Sequence, residues 1–190
     1  MDIKTIIYES ADVKAKIASD EKILNTIQEV VEEIVTLYKQ GGAVYFCGNG
    51  GSAADAQHIA AELSGRFYYD RPPLAAEALH VNTSYLTAVA NDYSYDEIYA
   101  RLLRGVGKKG DMLIGISTSG NSKNILRAFE VAAEKGIKTV ALTGKTGGAM
   151  KDLADYLINV PSTDTARIQE SHIMIGHIIC QFVESTLFPK

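Results

Sequence analysis

The chain has no tryptophan, two cysteines and four prolines among its 190 residues. Lys and Arg number 19 against 23 Asp and Glu, which gives a formal net charge of −4. Without a basic excess or a basic cluster, the sequence argues against a nucleic-acid-binding surface. No apolar run is long enough to span a bilayer, and the first residues lack the apolar core of a secretory signal. We therefore expect a cytoplasmic protein that contacts neither nucleic acid nor membrane.

The two cysteines, Cys47 and Cys180, stand far apart in the sequence. Isolated cysteines do not make a disulfide framework, and they suit a reducing compartment. Because free cysteine packs as a small apolar residue, we expect both in the core rather than acting as nucleophiles. The length suffices for one sizeable core, so we expect a single domain over residues 1–190.

The stretch 43–65 combines an apolar run, a glycine-rich turn and an alanine-rich helix. The run ends at Cys47, the turn reads Gly-Asn-Gly-Gly-Ser, and the helix is predicted to begin near Ala53. A strand followed by such a turn points backbone N–H groups and the positive end of a helix dipole at an anion. His58 and Glu62 lie four residues apart on one face of that helix, as an acid/base or metal-ligand pair would.

The glycine-rich turn also partly fits other kinds of loop. Residues 48–53 fit the loose dinucleotide-binding pattern G-x-G-x-x-A, which also requires an acidic residue at the end of a second strand about twenty residues later. Asp70 lies at a compatible distance, but a helix-like segment precedes it and Arg-Pro-Pro follows it. A Walker loop is excluded, because no Gly-Lys-Ser/Thr follows the glycines. A tight turn that binds nothing stays open, with the anion site favoured over it.

A second turn of this kind follows the apolar segment 111–116. Its hydroxyl-bearing residues are Ser117, Thr118, Ser119 and Ser122. Hydroxyl groups at the start of a helix, here predicted over 123–135, can donate to phosphate oxygens beside the backbone N–H groups. Serine-rich turns also cap helices without binding a ligand. A second such turn after a buried strand favours a phosphate site.

The remaining elements follow from apolar periodicity and turn signals. Further strands are predicted over 75–81, 138–143 and 156–160, and further helices over 2–18, 21–40, 96–105, 149–154 and 164–187, with a short one that ends at Ala90 and is broken by residues 91–93. Strands that alternate with helices in this way predict an α/β fold with a parallel sheet covered on both faces. Ligands bind at the carboxyl ends of such strands, where both turns fall.

The N-terminal helix pair, residues 1–40, precedes the first strand, and its second helix has heptad-like apolar spacing. It can pack on the rest of the subunit or against another subunit, and both stay open. The last helix is apolar nearly all round yet contains His172 and His177, each by default a hydrogen-bonded core histidine. Gln169 shares a side with His172 and lies about two turns from His177, so spacing alone does not choose between the histidines. His80 receives no role.

Four motifs taken together, at 47–58, 90–93, 115–122 and 167–172, resemble the phosphoheptose isomerases, which are sugar-isomerase (SIS) domain enzymes. The resemblance covers nearly the whole chain. It implies a three-layer αβα sandwich with a flavodoxin-like five-stranded parallel sheet over residues 41–190. It also implies a homotetramer that uses the N-terminal helices in packing and places active sites between subunits. The implied reaction converts sedoheptulose 7-phosphate to D-glycero-D-manno-heptose 7-phosphate, at the start of heptose pathways for lipopolysaccharide, surface layers and capsules.

The resemblance also assigns roles by motif. The implied substrate-binding residues are Asn49, Gly50, Gly51, Ser52, Glu62, Asn91, Asp92, Ser117, Thr118, Ser119, Ser122 and Gln169. The implied catalytic pair is Glu62 and His177, and the implied ligands of one Zn²⁺ per subunit are His58, Glu62, Gln169 and His177. His177 is thus preferred to His172. One acid and one base suffice for an aldose–ketose isomerisation through an enediol.

Two competing functions stay open. A non-catalytic SIS module could bind a sugar phosphate or a protein partner, but the presence of Glu62 together with His177 favours an enzyme. Another SIS-type isomerase could act on a smaller sugar phosphate, but the pairs Asn91-Asp92 and Gln169-Glu170 favour the heptose branch.

Overall fold

A computed structural model describes residues 2–190. The α-helices are α1 (Ile3–Ala18), α2 (Glu21–Lys39), α3 (Gly51–Ser64), α4 (Thr83–Asp92), α5 (Ile98–Val106), α6 (Lys123–Lys135) and α7 (Thr165–Leu187). The strands are β1 (Val44–Gly48), β2 (Ala76–Ala78), β3 (Met112–Ser117), β4 (Lys138–Thr143) and β5 (Tyr156–Asn159), and Tyr95–Glu97 and Gly148–Asp152 form 3-10 helices. Among these residues, no helix is long and apolar enough to cross a membrane.

The strands form one parallel sheet in the order β2-β1-β3-β4-β5. This flavodoxin-like order reverses direction between β1 and β3, which creates a crevice at their carboxyl ends. Side chains alternate across the sheet, so Phe46 and Cys47 of β1 enter separate apolar clusters on its two faces. One cluster joins α1, α2, α3 and α7 to the sheet, and the other joins α4, α5 and α6. The predicted three-layer α/β fold is confirmed.

Some predicted boundaries were wrong. α3 begins at Gly51, two residues before the predicted start, and α4 runs through Asp92 instead of ending at Ala90. The amide of Tyr93 still donates to the Val89 carbonyl, so Asn91 and Asp92 lie in the last helical turn rather than in a break. The segments 96–105 and 149–154 are also not single α-helices. The first is a 3-10 helix followed by α5, and the second is the 3-10 helix Gly148–Asp152.

Both cysteines are free and fully buried, as expected. Burial raises the pKa of the Cys180 thiol to about 12 and raises the pKa of the Cys47 thiol further. Because the thiolate is the nucleophile, neither thiol is set up for covalent chemistry at neutral pH.

Candidate active site

The two predicted anion-binding turns lie side by side at the carboxyl edge of the sheet. Cys47 and Gly48 of β1 pair with Gly115 and Ile116 of β3, so the turns that follow leave neighbouring strands at the same level. This is the point where the strand order reverses, the usual ligand site of an open α/β sheet. The predicted juxtaposition of the two turns is therefore present in the structure.

The helices that follow these turns begin without a side-chain cap, as α5 also does. Asp2, Asp20, Asn82 and Asp164 cap α1, α2, α4 and α7 with side-chain hydrogen bonds. At the starts of α3 and α6, the cap positions Gly50 and Ser122 make no such bond. The Ile125 amide of α6 donates to Asn124 Oδ1 at 3.0 Å, but no cap side chain competes with an anion for the positive dipole ends of the two helices.

The hydroxyl-rich turn has an ordered inner part and an accessible outer part. Ser117 is buried, and its Oγ lies 2.9 Å from Ser122 Oγ and accepts from the Gly120 amide at 3.2 Å. Ser119 is exposed, and Thr118 and Ser119 line a polar pocket of about 260 Å³ together with Lys145. The pocket combines hydroxyl donors with a lysine, which suits a phosphate dianion.

A reciprocal amide pair joins the two turns. Asn49 Nδ2 donates to Asn124 Oδ1 at 2.9 Å, and Asn124 Nδ2 donates to Asn49 Oδ1 at 2.8 Å. The Tyr95 hydroxyl donates to the same Asn49 oxygen at 3.0 Å, and the Tyr99 hydroxyl donates to the Gly48 carbonyl. Sequence reasoning missed Asn124 and both tyrosines, because their role depends on contacts across 46–75 residues of chain. Asn91 and Asp92, predicted to contact the substrate, lie exposed at the end of α4, a few residues before Tyr95.

A cluster of two histidines and one glutamate lies farther along α3, where it packs against α7. His58 Nε2 lies 3.0 Å from Glu62 Oε1, and the His58 and His177 ring centroids are 5.0 Å apart. One ligand atom from each of the three residues lies within 4.8 Å of the others. His177 Nε2 is buried without a hydrogen-bond partner. We call His58, Glu62 and His177 the trio.

The trio fits a zinc ion by the chemistry of its donors. Zn²⁺ takes imidazole nitrogens and carboxylate oxygens at about 2.1 Å, and the trio offers two imidazoles and one carboxylate within reach of one another. An unpartnered buried ring nitrogen such as His177 Nε2 is itself suited to a ligand.

Gln169, the fourth predicted ligand, lies at the start of α3 rather than beside His58 and Glu62 on the helix surface. Its side chain packs against Gly51 at the start of α3, where a Cβ on that glycine would meet Gln169 Nε2 at 2.6 Å. Eight residues separate Gln169 from His177, which is about 12 Å along α7. Three of the four predicted ligands therefore converge, and Gln169 faces the glycine-rich turn instead.

His172 is a core histidine, as the default interpretation of the sequence held. It is fully buried, and its Nε2 lies 3.1 Å from the Thr143 carbonyl. Burial lowers the pKa of His172 to about 4. His80 is half-buried near the Tyr99 ring, and burial lowers its pKa as well.

The buried His172 predicts an acid-dependent loss of stability. The native pKa of about 4 lies below the ordinary histidine pKa of 6.5, so between these pH values the unfolded chain binds a proton that the folded chain does not. His172 therefore leaves the free energy of unfolding unchanged above about pH 6.5 and lowers it by about 3 kcal/mol as the pH drops to about 4. Urea unfolding of metal-free protein at several pH values measures this slope.

The matched variant is His172→Gln, which keeps an amide donor for the Thr143 carbonyl and cannot titrate. Carboxylates that titrate in the same range are common to both proteins, so their contribution cancels in the difference. Equal pH slopes for the two proteins would show that His172 does not carry this dependence.

Comparison with known proteins gives a consistent family assignment. Residues 9–144 match the SIS domain family. The chain is 54% identical over 186 residues to the phosphoheptose isomerase of Aneurinibacillus thermoaerophilus, which covers 98% of this chain and 94% of that protein. A solved phosphoheptose isomerase from Neisseria gonorrhoeae superposes with a TM-score of 0.90 at 40% identity, over 96% of this chain and 97% of the other. One from Francisella tularensis gives a TM-score of 0.92 at 36% identity, over 96% of both chains. With this fold, these two turns and this level of identity, the chain belongs to the phosphoheptose isomerases of the SIS-domain family.

Proposed function

We propose that this chain interconverts sedoheptulose 7-phosphate and D-glycero-D-manno-heptose 7-phosphate through an enediol. The observation that carries the proposal is the convergence of His58, Glu62 and His177 in a chain 54% identical to a phosphoheptose isomerase. The 1–190 chain acts as one SIS domain in the cytoplasm. Its product serves heptose biosynthesis for lipopolysaccharide, surface layers or capsules.

The start of α6 holds the phosphate. Its amide groups and the hydroxyls of Ser119 and Ser122 donate to the dianion, while the start of α3 and Asn49 contact the sugar chain. The pairing of Asn49 with Asn124 fixes the Asn49 amide, so this contact is ordered before substrate arrives.

Glu62 and His177 supply the proton transfers. The Glu62 carboxylate removes the carbon-bound proton, and its hydrogen bond to His58 orients the acceptor oxygen. The His177 ring moves a proton between the C1 and C2 oxygens, because imidazole exchanges protons near neutral pH.

His58, Glu62 and His177 would hold a Zn²⁺ ion. When bound, the metal supplies Lewis-acid polarisation of the carbonyl and stabilises negative charge on the enediol oxygens. A carboxylate that holds zinc is a weaker base, so Glu62 serves the two roles alternately or the metal is mainly structural.

The proposed assembly is a homotetramer with active sites between subunits. In one chain the trio lies two turns of α3 beyond the anion-binding turn, a distance of about 10 Å, and His58 is half exposed. α1 leaves Ile3 and Ile7 exposed at 79% and 62%, and an apolar groove of about 340 Å³ lies between α1, α2 and α7. A second copy that covers these surfaces can bring its own residues to the trio.

Light scattering at low protein concentration tests this assembly. We expect a tetramer that persists on dilution, because association would cover the exposed isoleucines of α1 and the apolar groove between α1, α2 and α7. A stable and active monomer would contradict the shared active site.

The phosphate site predicts the effect of single serine variants. Ser119→Ala or Ser122→Ala should each raise KM about 10- to 150-fold, because a charge-assisted hydrogen bond is worth about 1.5–3 kcal/mol. Ser119 is exposed, so Ser119→Ala should leave the melting temperature nearly unchanged, whereas Ser122→Ala also removes the hydrogen bond to the buried Ser117 Oγ and should lower it slightly. Ser185→Ala, on the exposed side of α7, is the matched control. A near-normal KM in both variants would move the phosphate to residues 48–52.

A coupled assay of the purified, zinc-loaded protein with sedoheptulose 7-phosphate tests the function itself. We expect turnover of sedoheptulose 7-phosphate, and much slower turnover of pentose and hexose phosphates. Binding of the sugar phosphate without turnover would favour a non-catalytic SIS module.

A further inference from the structure

A buried ion pair joins the loop after α3 to the end of α7. Arg71 Nε lies 3.1 Å from Glu184 Oε1, and the two side chains are 2% and 1% exposed. Removing two charges from water is costly, and a buried pair by itself is weak support for stability. The hydrogen bonds of Arg71 and Glu184 indicate a role for the pair other than stabilising the fold.

Arg71 closes the C-terminus of α3. Its Nη2 donates to the Glu62 carbonyl at 2.9 Å, and its Nη1 donates to the carbonyls of Leu63 at 2.8 Å and Gly65 at 3.2 Å. Gly65 has a φ of −91°, so α3 does not end in the left-handed turn that usually satisfies these carbonyls. The guanidinium group replaces that turn and bonds directly to the backbone of Glu62.

Glu184 fixes the same loop from the side of α7. Its carboxylate accepts from the amides of Phe67 at 3.0 Å and Tyr68 at 2.8 Å. The Phe67 ring lies against the His177 ring, with centroids 5.6 Å apart. Glu184 follows His177 by seven residues, so both side chains lie on one face of α7.

We infer that Arg71 and Glu184 are positioning residues that hold α3, with His58 and Glu62, in register with α7, which carries His177. The inference rests on the proposed function for its kinetic readout, but not for its metal-binding readout. The side-chain hydrogen bonds of the pair go to backbone groups and to each other, not to the side chains of the trio. It sets the spacing of the two helices that bring them together.

The expected effect is a loss of metal affinity and of turnover with little change in substrate binding. Removing a group that orients metal ligands typically costs about 10–100-fold in metal affinity or activity. KM should stay within about threefold, because the phosphate turn at the start of α6 has no contact with the pair.

The main variant replaces both partners at once, as Arg71→Met with Glu184→Leu. Single truncations leave one buried charge unpaired and can prevent folding, whereas apolar replacement of both partners is often neutral for stability. Arg71→Lys is the second variant. It keeps a charge for Glu184 but loses the planar fork that bonds several carbonyls. The measurements are the Zn²⁺ dissociation constant, by competition with a chromogenic chelator, and kcat and KM.

Asp111→Asn is the matched control. Asp111 is also a buried carboxylate, 5% exposed, and accepts from the amides of Ala43 and Lys108 at 2.9 and 2.7 Å. It lies at the opposite, amino-terminal edge of the sheet, next to the start of β3. Its loss should lower the melting temperature and leave zinc affinity and kcat unchanged.

The inference is supported if the double variant, or Arg71→Lys where the double variant does not fold, binds zinc at least tenfold more weakly and has a kcat at least tenfold lower. Wild-type zinc affinity and kcat in a folded variant would overturn it. If the wild-type protein binds zinc but does not isomerise the sugar phosphate, the proposed function fails and zinc affinity alone decides the inference. If the wild type isomerises without zinc, a kcat at least tenfold lower with KM within about threefold supports the inference, and a wild-type kcat overturns it.

Discussion

Glu62→Gln is expected to lower kcat by about 10²–10⁴-fold, the usual cost of removing a general base. The substitution keeps the size of the side chain and an oxygen that can accept from His58 Nε2, so the local hydrogen bond survives. KM should change little, because the substitution leaves the hydroxyl groups and amides of the phosphate turn at 117–122 in place. Steady-state kinetics with sedoheptulose 7-phosphate give both constants.

Excess zinc separates the two roles of Glu62. The neutral amide is a poorer metal ligand, so the variant is assayed with zinc occupancy confirmed by elemental analysis. A zinc-loaded variant that binds substrate and stays inactive supports Glu62 as the base. Recovery of turnover on zinc addition would make Glu62 chiefly a ligand, and full activity without added zinc would pass the role of base to His177.

The sequence was informative wherever function depends on segments that are continuous in the chain. The turns at 48–52 and 117–122 could be recognised because strand, turn and helix follow each other within a few residues. The sheet also followed from the spacing of its strands. The side-by-side placement of the turns then follows from topology alone, since neighbouring parallel strands end at one edge.

Residues that act through long-range contacts could not be found in this way. Asn124 sits inside a predicted helix, and only its pairing with Asn49 across 75 residues gives it a role. Arg71 lies in a proline-bearing loop, and its partner Glu184 is 113 residues away. The spacing of residues along α7 also could not decide between His177 and His172. Burial and the contact with the Thr143 carbonyl separate the two, and both depend on packing.

The position of Gln169 shows a different limit. Spacing put Gln169 about two helical turns from His177, and only the family resemblance put both on one metal. In the chain itself, Gln169 meets Gly51 while His177 meets His58, because α3 and α7 run side by side and each residue meets its neighbour at the same level. A contact between Gln169 and the trio of another copy would reconcile the two, in keeping with the proposed tetramer.

Gly120→Ala is expected to raise KM about 10²–10³-fold, the equivalent of one to two hydrogen bonds to a charged group at about 1.5–3 kcal/mol each. Gly120 has a φ of +68°, and the backbone carbonyl of Gly147 occupies the place of an added Cβ. At the same crossing, the Ser119 carbonyl occupies the place of a Cβ on Gly148, and the Met150 amide donates to the Gly120 carbonyl at 3.0 Å. A flexible side chain could move away from the added Cβ, but here the neighbouring atoms belong to the backbone of Gly147 and Gly148. The whole phosphate turn must therefore shift, and several hydrogen bonds to the dianion weaken together.

Gly41→Ala separates the effect of this crossing from backbone strain. Gly41 has a similar φ of +77°, but no atom lies within 4 Å of an added Cβ. The control should lose only the strain of a left-handed residue, about 1–2 kcal/mol of stability, with no change in KM. Gly120→Ala carries the same strain and, in addition, displaces the turn. Its KM for sedoheptulose 7-phosphate should therefore be much higher than that of Gly41→Ala, and its affinity for inorganic phosphate much lower. If Gly120→Ala matches Gly41→Ala in KM while both lose similar stability, the turn at 117–122 is not where the phosphate binds, since a site built from its amides cannot survive a shift of its own backbone.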